Sequence, residues 1–94
     1  MEQEMTEIEK RQYKRELFIK LLLMLRAGAL QNLGKITNPL IGEKKVNIEI
    51  AKETIDMISL IKDKTEGNLS EQENEMIVNL LTELQLLYVN ASSK

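Results

Sequence analysis

The sequence contains neither cysteine nor histidine among its 94 residues. Disulfides, thiolate nucleophiles and imidazole bases are therefore excluded, as are nearly all zinc sites, because these two residue types supply most zinc ligands. Aromatic residues make up only 3% of the chain, which leaves little for stacking on nucleic-acid bases. We therefore expect a protein that is not an enzyme, with no cofactor, no resident metal and no catalytic residues.

Neither sign of charge dominates the chain. Lys and Arg number 13 against 15 Asp and Glu, a formal charge of −2, so no global positive field attracts nucleic acid or anionic lipid. The first residues lack the order of a secretory signal. The most apolar stretch, residues 17–25, contains Lys20 and is too short to span a bilayer. We expect a cytoplasmic protein with no membrane partner.

Proline and glycine are also scarce, with one and four residues respectively, and their positions divide the chain into three predicted helices. The first helix should begin at Thr6, since Glu9 three residues later completes a capping box, and should end near Leu33. Gly34 can then adopt the left-handed conformation that ends a helix.

Two further capping residues mark the other helices. Asn47 is suited to cap the second, and Ser70 with Glu73 forms another capping box at the start of the third. The short connection around Gly67 favours an antiparallel hairpin. We divide the chain into a polar extension of the first helix over residues 1–16, one helical domain over residues 17–90 and a flexible tail over residues 91–94.

The connection over residues 34–46 is longer than usual for two packed helices. Asn38 and Pro39 should start a turn. The segment also contains apolar side chains that we expect to lie against the helices, namely Ile36, Leu40, Ile41 and Val46. The alternative is that this loop is a binding site. The predicted fold is all-α, with a long first helix, a packed loop and a helical hairpin, completed by homo-oligomerisation.

Homo-oligomerisation is expected because the first helix is apolar over most of its circumference from residue 17 onward. Such a helix is buried on more than one side, and a chain of this size buries only about 60–65% of its unfolded surface by itself. The candidate oligomer interface consists of Leu17, Phe18, Leu21, Leu22, Leu23, Leu25, Gly28, Ala29 and Leu30. Further apolar residues outside the predicted core stripes are Leu60, Leu86 and Val89.

A basic turn gives the alternative hypothesis of nucleic-acid binding. It consists of Lys10, Arg11, Lys14 and Arg15, and basic clusters attract phosphate. Glutamates interleave with it, and we expect Glu7 to pair with Arg11 one turn later. A solvated, ion-paired helix face therefore explains this cluster better than a nucleic-acid site.

The acidic residues do not form a recognisable catalytic pattern. Candidate acids are Glu53, Asp56, Glu73 and Glu83, and each lacks a partner at a catalytic spacing. Asp56 is expected to be a solvated charge near Lys52 or Lys62. The helix dipole explains the acidic start of the third helix without a metal.

Several spaced segments resemble a known family. They are Asn38-Pro39, Gly42, Val46-Asn47, Ala51, Thr54-Ile55-Asp56, the Lys64-Thr65-Glu-Gly67-Asn68-Leu69-Ser70 segment, Glu73, Leu84 and Tyr88-Val89. Together they closely resemble the bacterial domain of unknown function 1844 family, from about Leu17 to Val89. The resemblance implies a small, cytoplasmic, helical protein and supplies no activity, cofactor or catalytic residue. The family commonly carries arginine beside the final tyrosine, where this chain has Leu87, which argues against anion binding at this end.

We therefore predict a bacterial helical protein that self-associates and acts as a protein-interaction or scaffold module. Such a module could also bind a further, unidentified protein partner. The alternative is a nucleic-acid-binding accessory protein that uses the basic turn.

Overall fold

The computed structural model describes residues 4–37, 40, 42 and 44–93. Three α-helices follow one another along the chain: α1 over Glu7–Asn32, α2 over Ile48–Lys64 and α3 over Glu71–Ser92. The described residues contain no β-strand. The predicted all-α fold with three helices is confirmed.

The helices begin where the sequence predicts, because side chains satisfy the free N–H groups of the first turn. At α1, the Glu9 N–H donates to Thr6 Oγ1 (3.1 Å) and the Thr6 N–H donates to Glu9 Oε1 (3.1 Å). Ser70 and Glu73 make the same reciprocal pair at α3, at 3.1 and 2.8 Å. At α2, the Ile50 N–H donates to Asn47 Oδ1 (3.1 Å).

Glycine ends α1 as predicted, and it is needed there for two reasons. Gly34 has a φ of 75°, a conformation that strains residues with a side chain. A Cβ on Gly34 would also lie 2.7 Å from Cγ2 of Val46. The close approach of Val46 is possible only because the residue after α1 has no side chain.

The core is entirely apolar and draws on all three helices. Its buried residues are Leu22, Ala29, Leu30, Leu33, Ala51, Ile55, Ile58, Ile77, Leu80, Leu81 and Leu84. No polar or charged residue is buried in the described part of the chain. Each helix packs against the other two, so one face of each helix is covered within the chain.

The molecule is elongated because α1 extends past this core. Its radius of gyration is 15.7 Å, compared with about 12 Å for a compact chain of this length. Every residue from Glu7 to Leu17 is exposed, as expected for a polar extension. At the other end, α3 continues through Ser92, which makes Ala91 and Ser92 helical; the flexibility of the tail remains a prediction.

The described apolar residues of the connector are more exposed than expected, although Val46 closely approaches Gly34 at the end of α1. Leu40 is 91% exposed, Val46 57% and Ile36 36%; Asn38, Pro39 and Ile41 lie outside the described residues. Hydrogen bonds fix the two ends of the connector. The Lys35 N–H donates to the Leu30 carbonyl (2.8 Å), and the Asn47 N–H donates to the Asn32 carbonyl (2.7 Å). Both ends of the connector are thus held at the last turn of α1.

Truncation of the core should destabilise the fold far more than truncation of the surface. Leu84 is fully buried and Leu86 is 61% exposed on the same helix. We expect Leu84→Ala to lower the free energy of unfolding by about 2–5 kcal/mol. The matched variant Leu86→Ala should change it by less than about 1 kcal/mol in dilute protein. Urea unfolding followed by circular dichroism measures both values, and equal losses would contradict this description of the core.

Candidate interaction surface

A row of apolar residues runs along the side of α1 that faces away from the core. Leu17 is 46% exposed, Leu21 43% and Met24 72%, at spacings of four and three residues. The next position in this pattern, four residues on, is Gly28. At about 100° per residue these four positions lie within about 60° of one another around the helix. We call them the outer stripe.

An ion pair between α1 and α3 helps to fix which side of α1 faces outward. Arg26 Nε donates to Glu83 Oε1 (2.7 Å) and Arg26 Nη2 donates to Glu83 Oε2 (2.9 Å). Arg26 therefore faces α3, and Met24, two residues earlier, lies about 160° away around the helix. The two hydrogen bonds to α3 thus favour the rotation of α1 that places the outer stripe in solvent.

The same pair shifts the ionisation of both partners. The hydrogen bonds from Arg26 lower the pKa of Glu83, and those to Glu83 raise the pKa of Arg26. Both side chains are partly exposed, at 38% for Arg26 and 41% for Glu83, so solvent weakens their attraction. The pair was not predicted from the sequence, because 57 residues separate its members and no local pattern joins them.

The structure divides the predicted interface between the core and the surface. Leu22, Ala29 and Leu30 are buried in the core of the chain itself. Phe18 and Leu25 are partly buried and pack against that core. Leu22, Ala29 and Leu30 are thus used within one chain, which corrects their assignment to a surface for a second copy. For the half-buried Phe18 and Leu25 the assignment stays a prediction.

The remaining predicted leucines face solvent. Leu17 and Leu21 belong to the outer stripe, whereas Leu23, 47% exposed, lies on a different flank of α1. Gly28 is half-buried, and a Cβ built on it would meet no atom within 4 Å. Sequence reasoning missed Met24, although its spacing of seven from Leu17 and three from Leu21 is the signal that could have found it.

The basic turn lies on the protruding part of α1. Lys10, Arg11, Lys14 and Arg15 are all exposed. Glu7 pairs with Lys10 at 3.6 Å (Nζ to Oε1), one residue before its predicted partner Arg11. The structure thus leaves these cations on the surface without gathering them around a cavity.

Three of the four carboxylates singled out in the sequence have structural partners. Asp56 accepts a hydrogen bond from Lys52 Nζ at 2.7 Å, one of the two lysines expected near it. Glu73 caps α3 and Glu83 binds Arg26. Over residues 4–37, 40, 42 and 44–93, no group of three or more acidic side chains is arranged to hold a metal ion.

Two depressions lined by described residues lie near the ends of the helices. The larger, about 400 Å³, is lined by residues that include Lys62, Thr65, Gly67 and Ser70 at the turn between α2 and α3. The smaller, about 260 Å³, is lined by Gln31, Asn32, Lys45, Asn47 and Ile50. In the described residues, no buried side-chain nitrogen or oxygen lacks a hydrogen-bond partner, so neither depression contains a buried polar group directed at a ligand.

Comparison with protein families matches residues 16–90 to the family described as Domain of unknown function (DUF1844). The match covers most of the chain. The protein belongs to the DUF1844 family. No curated protein and no solved structure matches it. The family assignment expected from the sequence is therefore confirmed, and it brings no activity with it.

The match to DUF1844 includes the outer stripe and the whole core. It begins at residue 16, so the basic turn lies before it. None of the helices, as far as they are described, is both long enough and apolar enough to cross a membrane. In this member of DUF1844, the exposed apolar side of α1 is therefore the candidate interaction surface.

The ion pair predicts a dependence of stability on pH. Glu83→Gln removes the charge that Arg26 binds, and we expect it to lower the free energy of unfolding by about 0.5–1 kcal/mol near neutral pH. The folded-state pKa of Glu83 is lowered, so this contribution is present above the unfolded pKa of about 4.3 and is lost as the pH falls through the folded value. The stability difference between wild type and Glu83→Gln should therefore shrink in acid.

Urea unfolding at a series of pH values measures this difference. Glu75→Gln is the control, because Glu75 is an exposed carboxylate on the same helix. A stability loss from Glu83→Gln that does not change with pH, or that Glu75→Gln reproduces, would argue against the ion pair.

Proposed function

We propose that this DUF1844 protein is a non-enzymatic interaction module that self-associates through the outer stripe of α1. The observation that carries the proposal is the exposure of Leu17, Leu21 and Met24 on the side of α1 opposite the core. Apolar side chains in a contiguous row lower their free energy when a partner removes them from water. A second copy of the chain carries the same apolar row and is always present as a partner.

The exposed area of the chain supports this proposal. A compact monomer of 10.8 kDa exposes about 5,500 Å², whereas this chain exposes 7256 Å². The difference of about 1,700 Å² exceeds the roughly 800 Å² that each partner buries in an interface of standard size. The protruding part of α1 contributes to the excess, so an assembly that covers α1 would bring the exposed area nearer to that of a compact protein.

Gly28 gives a second, independent argument for a partner on this side of α1. A glycine inside a helix costs about 1 kcal/mol relative to alanine. Neither a positive φ nor a close intrachain neighbour calls for glycine at position 28. A glycine on a helix surface lets a second backbone approach closely, and Gly28 continues the outer stripe.

The alternative of nucleic-acid binding has one observation in its favour. All four cations of the basic turn are exposed on a helix segment that protrudes from the core. Against it, glutamates lie among them, and Tyr13 is the only aromatic residue of the protruding segment. We therefore place self-association first.

Dilution-series light scattering after size exclusion tests the proposal. The wild type should have a mass that is a multiple of 10.8 kDa, and Met24→Glu should reduce it to that of the monomer, because a buried charge opposes association. Met24 is 72% exposed, so the change should leave the helical circular dichroism signal intact. The control is Leu86→Glu, at an exposed position on α3; it should keep the wild-type mass. A wild-type monomer at all concentrations would refute self-association.

Charge reversal tests the alternative. With Lys10, Arg11, Lys14 and Arg15 all changed to glutamate, we expect an unchanged 260-to-280 nm absorbance ratio, because the wild-type protein should elute free of nucleic acid. A high ratio for the wild type that falls in this variant, while the particle mass in nuclease-treated samples stays constant, would instead favour nucleic-acid binding.

A further inference from the structure

We propose that two copies of the chain pack α1 against α1 in antiparallel orientation, about a twofold axis close to Leu21. This inference rests on the self-association proposed above and adds the orientation and register of the two chains. It follows from the order of apolar and charged residues along the outer side of α1.

The outer stripe continues toward the N-terminus as a row of cations. Four and three residues before Leu17 along the same side lie Tyr13 and Lys14, and Lys10 lies one turn earlier; all three are exposed. In a parallel pair, Lys10 and Lys14 of one copy would lie directly beside the same residues of the other. Like charges in contact destabilise a helix pair, and this cost rises as water is excluded.

An antiparallel pair separates these cations. The axial distance between the two copies of Lys14 becomes about 21 Å, since each residue advances the helix by about 1.5 Å. Lys10 then lies beside the last turn of the partner's α1, which contains no basic residue. The negative end of the helix dipole lies there and favours a cation.

The first turn of α1 fits the same arrangement. Glu7 and Glu9 lie in that turn, and the antiparallel register brings them level with Lys35, just beyond the end of the other α1. Lys45 is close to the same end, because it lines a depression together with Gln31 and Asn32. Acidic residues at one end of α1 and basic residues beyond the other end therefore complement each other between two copies.

The apolar positions select the register. With the axis at Leu21, Leu21 meets its own copy and Leu17 lies level with Leu25 of the partner. Met24, on the outer stripe, is only about 1.5 Å further along the axis, so every exposed apolar member of the outer stripe lies close to another. Lys14 then lies over Gly28, where the open space around the glycine accommodates the aliphatic part of the lysine. Moving the axis to Met24 would place Leu17 against the polar Gln31 and lose this match.

Engineered disulfides distinguish the orientations, and the natural absence of cysteine makes each introduced thiol unique. A disulfide needs Cα atoms about 4.4–6.8 Å apart. We expect Leu21→Cys to oxidise to a covalent dimer, which would shift the denatured mass from 10.8 kDa to twice that value. Lys14→Cys alone should remain monomeric on a non-reducing gel. An equimolar mixture of Lys14→Cys and Gly28→Cys should give the crosslinked dimer.

The outcomes separate this inference from the function on which it rests. Crosslinking of Lys14→Cys alone, without a product specific to the mixture, would establish a parallel pair and overturn the orientation while self-association stands. Absence of the Leu21→Cys dimer together with a monomeric wild type would overturn both. Leu86→Cys, exposed on α3, measures random collision, and a yield equal to that of the mixture would also overturn the inference.

Discussion

The first helix has apolar side chains on two opposite sides, and the chain supplies helices to cover only one of them. Leu22 and Ala29 are completely buried against α2 and α3, whereas Leu17, Leu21 and Met24 remain in solvent. Because burial of apolar area is the main favourable term in folding, this uneven coverage limits the stability of the single chain. The small core and the exposed stripe both follow from this constraint.

The ion pair between Arg26 and Glu83 helps to determine which side of α1 faces the core. Burial of apolar side chains is not directional, and a helix that is apolar nearly all round could rotate about its axis with little change in buried area. Two parallel hydrogen bonds between a guanidinium and a carboxylate have a fixed geometry. They therefore favour one rotation of α1, even though a partly exposed ion pair contributes little to stability. Which apolar residues face outward is thus determined partly by a polar contact.

The features that could be predicted from the sequence depend on residues that are close together along the chain. Capping boxes at Thr6 and Ser70 and the glycine after α1 are local patterns, and each lies where it was expected. The division of α1 into a buried and an exposed side depends instead on contacts with distant residues such as Glu83. Local pattern also failed at the connector, where Leu40 is apolar but exposed.

Self-association would make the stability of the folded chain depend on the protein concentration. A partner that binds the folded chain and not the unfolded one raises stability in proportion to the logarithm of its concentration. If a second copy covers the outer stripe of α1, the protein would thus be most stable at high protein concentration. The side chains of Asp56, Glu73 and Glu83 already serve helix capping or ion pairing. A further protein partner would then meet an assembled surface, in which the outer stripe is already covered and the exposed residues of α3, such as Leu86 and Val89, remain accessible.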